Sequence, residues 1–223
     1  MTGKIRHFFK YLTIKKLQIV IFILEWNFFM NYSELLRRRR TIRFYRQMPV
    51  AEEHLLKMIE AACHAPSAAN NQVLRYTVVR NPDLVQAVFY HSKYAGRVTP
   101  KRSPEWGVNA PTAFIAISAV KNGPAINPMV YADAGAAIMS MAFQALEEKL
   151  GTCWIGAFNN KEVTQILQID KSEELIYLLA VGHPAENPVE DTISKDESVA
   201  YYVDTFNTLH VPKYSVEAVT RIL

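Results

Sequence analysis

Apolar residues at Leu55, Met58, Ile59 and Ala62 recur at i, i+3, i+4 and i+7, the spacing of one helix face. They predict a helix over 50–64 that Ala65-Pro66 ends. The longest such pattern covers 129–150 and is apolar nearly all round from Ala134 to Ala145, which predicts a central helix with Gly151 as its C′ residue. Shorter helices are predicted over 31–39, 83–90, 161–167 and 215–223, the first opened by a capping-box-like Asn31 and Glu34. Strand patterns occupy 74–79, 112–120, 152–155 and 175–181, with turn signals such as Asn81-Pro82-Asp83 and Gly182-His183-Pro184 beside them. The stretch 91–109 is irregular, basic and aromatic, and 185–210 is polar and acidic. Strands and helices mix without a strict βα rhythm, so the expected class is α+β in one domain.

The first 29 residues stand apart. A Lys-rich start runs into the apolar segment 17–24, too short for a transmembrane helix and interrupted by Glu25 and Asn27. No small-x-small cleavage site follows it. We read 1–29 as an extension, either an artefact upstream of a start at Met30, a degenerate signal segment or a membrane-proximal anchor, and 30–223 as the folded domain. Charge supports the division. The formal net charge is +4, yet residues 1–30 hold five basic residues against one acidic, 31–46 six against one, and 47–223 fourteen against nineteen. A polyanion-binding protein spreads Lys and Arg over a folded face, so neither a nucleic-acid partner nor a membrane one is expected on this pattern. The rival from another class is a membrane-surface module acting through the basic N-terminus.

Familiar catalytic signatures are missing. The eight glycines form neither GxGxxG nor a P-loop, and there is no HExxH, CxxC or Gly-x-Ser-x-Gly. Cys63 and Cys153, the two cysteines, read as small core thiols. His183 reads as a turn residue, and Glu147-Glu148 as a solvated helix face. No metal site is expected. The best anion-binding candidate is Arg39-Arg40-Thr41-Ile42-Arg43. As an extended segment it sends Arg39 and Thr41 to one side and Arg40 and Ile42 to the other, so guanidinium and hydroxyl could hold a phosphate. A solvated basic helix end is the competing account.

The run has company. Arg39-Arg40-Thr41-Ile42-Arg43, then Pro66-Ser67-x-x-Asn70-x-Gln72, the apolar helix leading to Trp154-Ile155-Gly156, the strand ending Gly182-His183-Pro184 and the tail 209–213 occur in an order that resembles the FMN-dependent nitroreductase family. The resemblance implies an α+β fold with a central mixed or antiparallel sheet flanked by helices, in a homodimer with exchanged tails. It implies that Arg39, Arg40, Thr41 and Lys213 serve the FMN phosphate and ribityl region, and that Arg43 serves the flavin ring. Pro66, Ser67, Asn70 and Gln72 would enter the site from the partner subunit, with Asn70 bonding the pyrimidine edge. Ile155 and Gly156 would offer backbone amides to the flavin. Two departures stand out: Val73-Leu74 follow Gln72 where many members carry Pro-Trp, and Tyr214 follows Lys213 where a second basic residue is common.

The activity expected is that of a cytoplasmic oxidoreductase. NADH or NADPH reduces bound FMN, and a nitroaromatic, a quinone or a similar acceptor is reduced in turn, in a ping-pong cycle with no catalytic acid or base assigned. The alternative is a flavin-dependent dehydrogenase or dehalogenase acting on another small substrate. The stretch 91–109 matches nothing interpretable and is expected to face substrate.

Overall fold

The computed structural model describes residues 31–94, 98, 102–123 and 126–223. The 1–29 extension and part of the 91–109 stretch lie outside them. The chain divides into two units, Met1–Arg38 and Arg39–Leu223. In the first, helix α1 (Tyr32–Arg38) starts as expected, with the Glu34 N–H donating to Asn31 Oδ1 at 3.0 Å.

The second unit is built on a five-stranded sheet from β1 (Tyr45–Arg46), β2 (Leu74–Val79), β3 (Ala113–Val120), β4 (Gly151–Ile155) and β5 (Glu173–Pro184). The order is β1-β5-β3-β2, with β4 also on β5, and every pairing is antiparallel. Helices α2 (Glu52–Cys63) and α4 (Met129–Glu147) cover one face; α3 (Pro82–Tyr90) and α5 (Asn160–Ile166) cover the other. Alternation along β3 explains this. Ile115 and Ile117 join Leu55, Met58 and Met141 on one side, while Phe114 and Ala116 join Val85, Val88 and Val163 on the other. Each fully buried Leu, Ile or Met among them contributes roughly 1.5–3 kcal/mol. Among the described residues α4 is one helix long and apolar enough to cross a membrane, and its packing in this core accounts for the composition.

Five sequence expectations need correction. The residue in the left-handed region after α4 is Lys149 (φ 58°), while Gly151 opens β4 for a packing reason given below. Cys63 is exposed, although Cys153 is buried. Glu148 is no solvated residue: its carboxylate bonds His54 Nδ1 on α2 and sits 3.2 Å from Lys57 Nζ, tying α4 to α2. The polar tail forms a second sheet from β6 (Val189–Ile193), β7 (Tyr202–Val203) and β8 (Leu209–Tyr214), parallel between β6 and β8. The final helix shrinks to α6 (Val216–Val219), leaving Ile222 and Leu223 exposed. Its apolar pattern has nothing within the described chain to pack on.

Candidate functional site

Residues 39–46 form an extended arm laid across the start of β4 and the end of β5. The Ile42 N–H donates to the Thr152 carbonyl at 2.9 Å, and Thr41 bridges Thr152. Tyr45 is fully buried and donates its hydroxyl to the Ile42 carbonyl. The arm comes this close because Gly151 and Gly182, paired across β4 and β5, have no side chains. A Cβ at Gly151 would sit 2.6 Å from Ile42 Cγ1, and one at Gly182 would sit 2.7 Å from Tyr45 Cδ1.

The expected alternation holds, with Arg40 and Ile42 buried and Arg39, Thr41 and Arg43 partly open on the other side. Arg40 is ion-paired to Glu190 on β6 at 2.6 Å. Burial and the adjacent Arg40 push the Arg39 guanidinium below its ordinary range, and Glu190 works against them. Two guanidiniums thus share the field of one carboxylate. Register places Glu190 beside Val211 and Thr192 beside Lys213. Lys213 therefore leaves the tail sheet on the same face as Glu190, two residues further along. The Arg43 guanidinium lies over the Tyr201 ring, 5.9 Å from its centroid.

Ile155 ends β4 and Gly156 follows it, three and four residues beyond Thr152, a separation of ~10–13 Å at strand rise. Ile155 is buried and Gly156 exposed, with the Tyr177 ring 3.5 Å from where a Cβ would stand. Trp154 and Tyr177 pack edge to face beside it, 5.0 Å between centroids. The residues after Gly156 are zipped to the start of the 91–109 stretch. Lys93 N–H donates to the Ala157 carbonyl, and Asn159 N–H to the His91 carbonyl, both at 2.8 Å.

Pro66, Ser67, Asn70 and Gln72 are elsewhere. They form the loop between α2 and β2, at the opposite edge of the sheet. From β2 across β3 and β5 to β4 is three strand spacings, ~14 Å. One chain therefore gathers the arm and Gly156 on one edge and this loop on the other. The loop is strained: Ala69, Asn70 and Gln72 all have positive φ, at 50°, 54° and 49°. Such backbone costs on the order of 1 kcal/mol per residue and concentrates at functional sites. Buried Asp133 on α4 holds it by accepting the Ala68 N–H at 2.9 Å, and Gln72 Nε2 donates to Asn70 Oδ1 at 3.2 Å. A cavity of ≈ 240 Å³ opens beside it, lined by Cys63, Pro66, Ser67, Gln72, Tyr76 and Asp133 among others.

Sequence reasoning missed Glu186, Glu190 and Asp133, three acidic residues that fix the arm, the tail and the loop. No motif marks them, since each acts through a backbone N–H or an arginine distant in sequence. Arg102 lies within the 91–109 stretch, to which the sequence pattern assigns no individual role.

The model of the family described as "Nitroreductase family" matches residues 36–183. The FMN reductase (NAD(P)H) of Bacillus subtilis strain 168 is 28% identical over 198 residues, covering 78% of this chain and 76% of that one. A nitroreductase family protein from Clostridium novyi NT superposes with a TM-score of 0.60 at 25% identity, covering 73% of this chain and 89% of that one. A Desulfovibrio desulfuricans protein solved in complex with FMN gives a TM-score of 0.58 at 25% identity, over 71% and 90% of the two chains. With the family model matched over most of the sheet and both helical layers, this chain belongs to the nitroreductase family.

Proposed function

We propose that the protein is an FMN-dependent oxidoreductase that uses NADH or NADPH to reduce nitroaromatics, quinones or similar small acceptors, and that it works as a homodimer in the cytoplasm. The observation that carries this reading is the arm. Its two adjacent guanidiniums face a single carboxylate, and the burial and neighbouring Arg40 charge that lower the Arg39 pKa are what a phosphate dianion offsets. That donor set fits FMN. When bound, FMN supplies two-electron chemistry between the nicotinamide and the acceptor.

The chain's own residues bind, orient and cover. Arg39, Thr41 and Lys213 hold the phosphate, while Arg40 anchors them by pairing with Glu190. Arg43 would supply a cation to the flavin ring, and the backbone at Ile155 and Gly156 would offer it amides. Pro66, Ser67, Asn70 and Gln72 reach the ring from a second copy, because within one chain their loop lies across the sheet from Gly156. Exposed Tyr131 and Trp154, both packed on Tyr177, and the exposed Ile222 and Leu223 support a partner chain and exchanged tails.

Purified protein should be yellow and carry about one FMN per chain, and NADH and NADPH added separately should show by bleaching which is the donor. Its mass in solution should be twice 25.4 kDa. Colourless protein that cannot be reconstituted with FMN sinks the reading.

A further inference from the structure

A buried ion pair that the assignments above leave unused touches the arm directly. Glu186 follows β5 by two residues. Its Oε1 accepts the N–H groups of both Arg43 and Phe44, and its Oε2 accepts from Arg102 Nη2 at 2.9 Å. The two side chains are 7% and 8% exposed. Arg102 also donates to Asn207 Oδ1 at 3.2 Å and lies over the Phe44 ring, 4.6 Å from its centroid. The Ala185 N–H returns a bond to the Phe44 carbonyl at 2.9 Å.

Such a pair is a poor source of stability, because desolvating two ions offsets most of their attraction. It supplies fixed geometry and fixed charge. By accepting consecutive N–H groups, Glu186 fixes the backbone from which Arg43 projects. By neutralising Glu186, Arg102 leaves the positive charge of Arg43 uncancelled.

We propose that Glu186 and Arg102 are a positioning pair for Arg43, the carboxylate setting its direction and the second guanidinium preserving its net charge toward the flavin. The inference rests on the FMN reading above. Adding electrons to bound FMN adds negative charge, so the net charge behind Arg43 sets how readily that happens.

The test is the midpoint potential of bound FMN, read spectrally, together with the Kd of the apoprotein for FMN. Glu186→Gln leaves Arg102 uncompensated and shifts the potential upward. Arg102→Met leaves the Glu186 carboxylate without its counter-ion and shifts the potential downward. The double variant returns to the wild-type value. Shifts of the same sign, or none, overturn the inference. If either single variant is not recovered folded, Glu186→Asp and Arg102→Lys decide: both keep the potential, while the shortened acceptor of Glu186→Asp weakens FMN binding roughly tenfold. An unchanged Kd, or a moved potential, overturns it. Wild-type protein that takes up no FMN overturns the functional reading and this inference with it. Wild-type protein that binds FMN while ignoring these variants overturns this inference alone.

Discussion

Replacing Gly151 with alanine tests how the arm is held. The new Cβ would lie 2.6 Å from Ile42 Cγ1, 2.8 Å from its Cβ and 3.0 Å from its Cγ2. None of these is the end of a flexible chain. They move only with the arm's backbone, which the Ile42–Thr152 hydrogen bond pins at 2.9 Å. Overpacking of this kind costs about 1–3 kcal/mol, and with backbone involved we expect the upper half of that range. Alanine recovers ~0.5–1 kcal/mol of strand preference over glycine. The net loss is about 2 kcal/mol, or ~4–8 °C in Tm for a domain of this size. Urea and thermal melts followed by circular dichroism measure it directly. Two controls sharpen the test. Gly156→Ala meets only Tyr177 ring carbons, the nearer at 3.5 Å, and should leave the melt within about 0.5 kcal/mol. In an Ile42→Ala background the Gly151→Ala penalty should shrink without vanishing, because the offending Cβ remains. A Gly151→Ala protein as stable as the wild type would refute the close-approach argument.

Arg39→Ala should weaken FMN binding about tenfold or more with little change in Tm, by loss of a charge-assisted contact. Arg40→Ala should instead lower Tm, since it strips Glu190 of its buried partner; the reverse pattern would exchange their roles. Burial pushes the Cys153 thiol up to about 11 while Cys63 is exposed, so a thiol reagent at pH 8 should titrate one cysteine in native protein and two in urea. Two fast thiols in native protein would contradict the buried assignment. The tail sheet should show a pH optimum in its protection from proteolysis. Asp191 accepts from His210 Nδ1 at 2.9 Å and raises the His210 pKa, so that stabilisation is complete below ~6.5 and is lost as pH rises through the raised value. Desolvation opposes ionisation of Asp191, but bonds from His210 and Tyr202 outweigh it and lower its pKa, so its contribution is lost only as pH falls through that lowered value. His210→Gln should flatten the alkaline limb, and an unaltered limb would exclude His210.

Where a segment's pattern is satisfied inside its own chain, sequence predicts it well. Both core helices and four strands follow from apolar spacing, because β3 and α4 are buried by neighbours that the same spacing reveals. The arm is legible for a related reason, since alternation alone separates Arg39 from Arg40. The tail strands escaped because Asp191, Tyr202 and His210 hold them through polar bonds that leave no hydrophobic period. Gly151 was misread for an instructive reason: a glycine after a helix suggests a left-handed cap, yet Lys149 adopts that conformation and Gly151 is kept small by Ile42. Glu148 was misplaced because helix position alone does not show that α2 brings His54 and Lys57 to it.

The placement of the arm and the loop on opposite edges of one sheet has a genetic consequence. In the proposed homodimer, a variant broken at Arg39 and another broken at Asn70 would carry their defects in different halves of a composite site. Co-produced and allowed to exchange chains, they would form mixed dimers in which one site inherits both lesions and the other inherits none. With random pairing, half of the dimers are mixed and about a quarter of all sites are whole again. Two inactive proteins would then complement each other, whereas two lesions on the same edge never would.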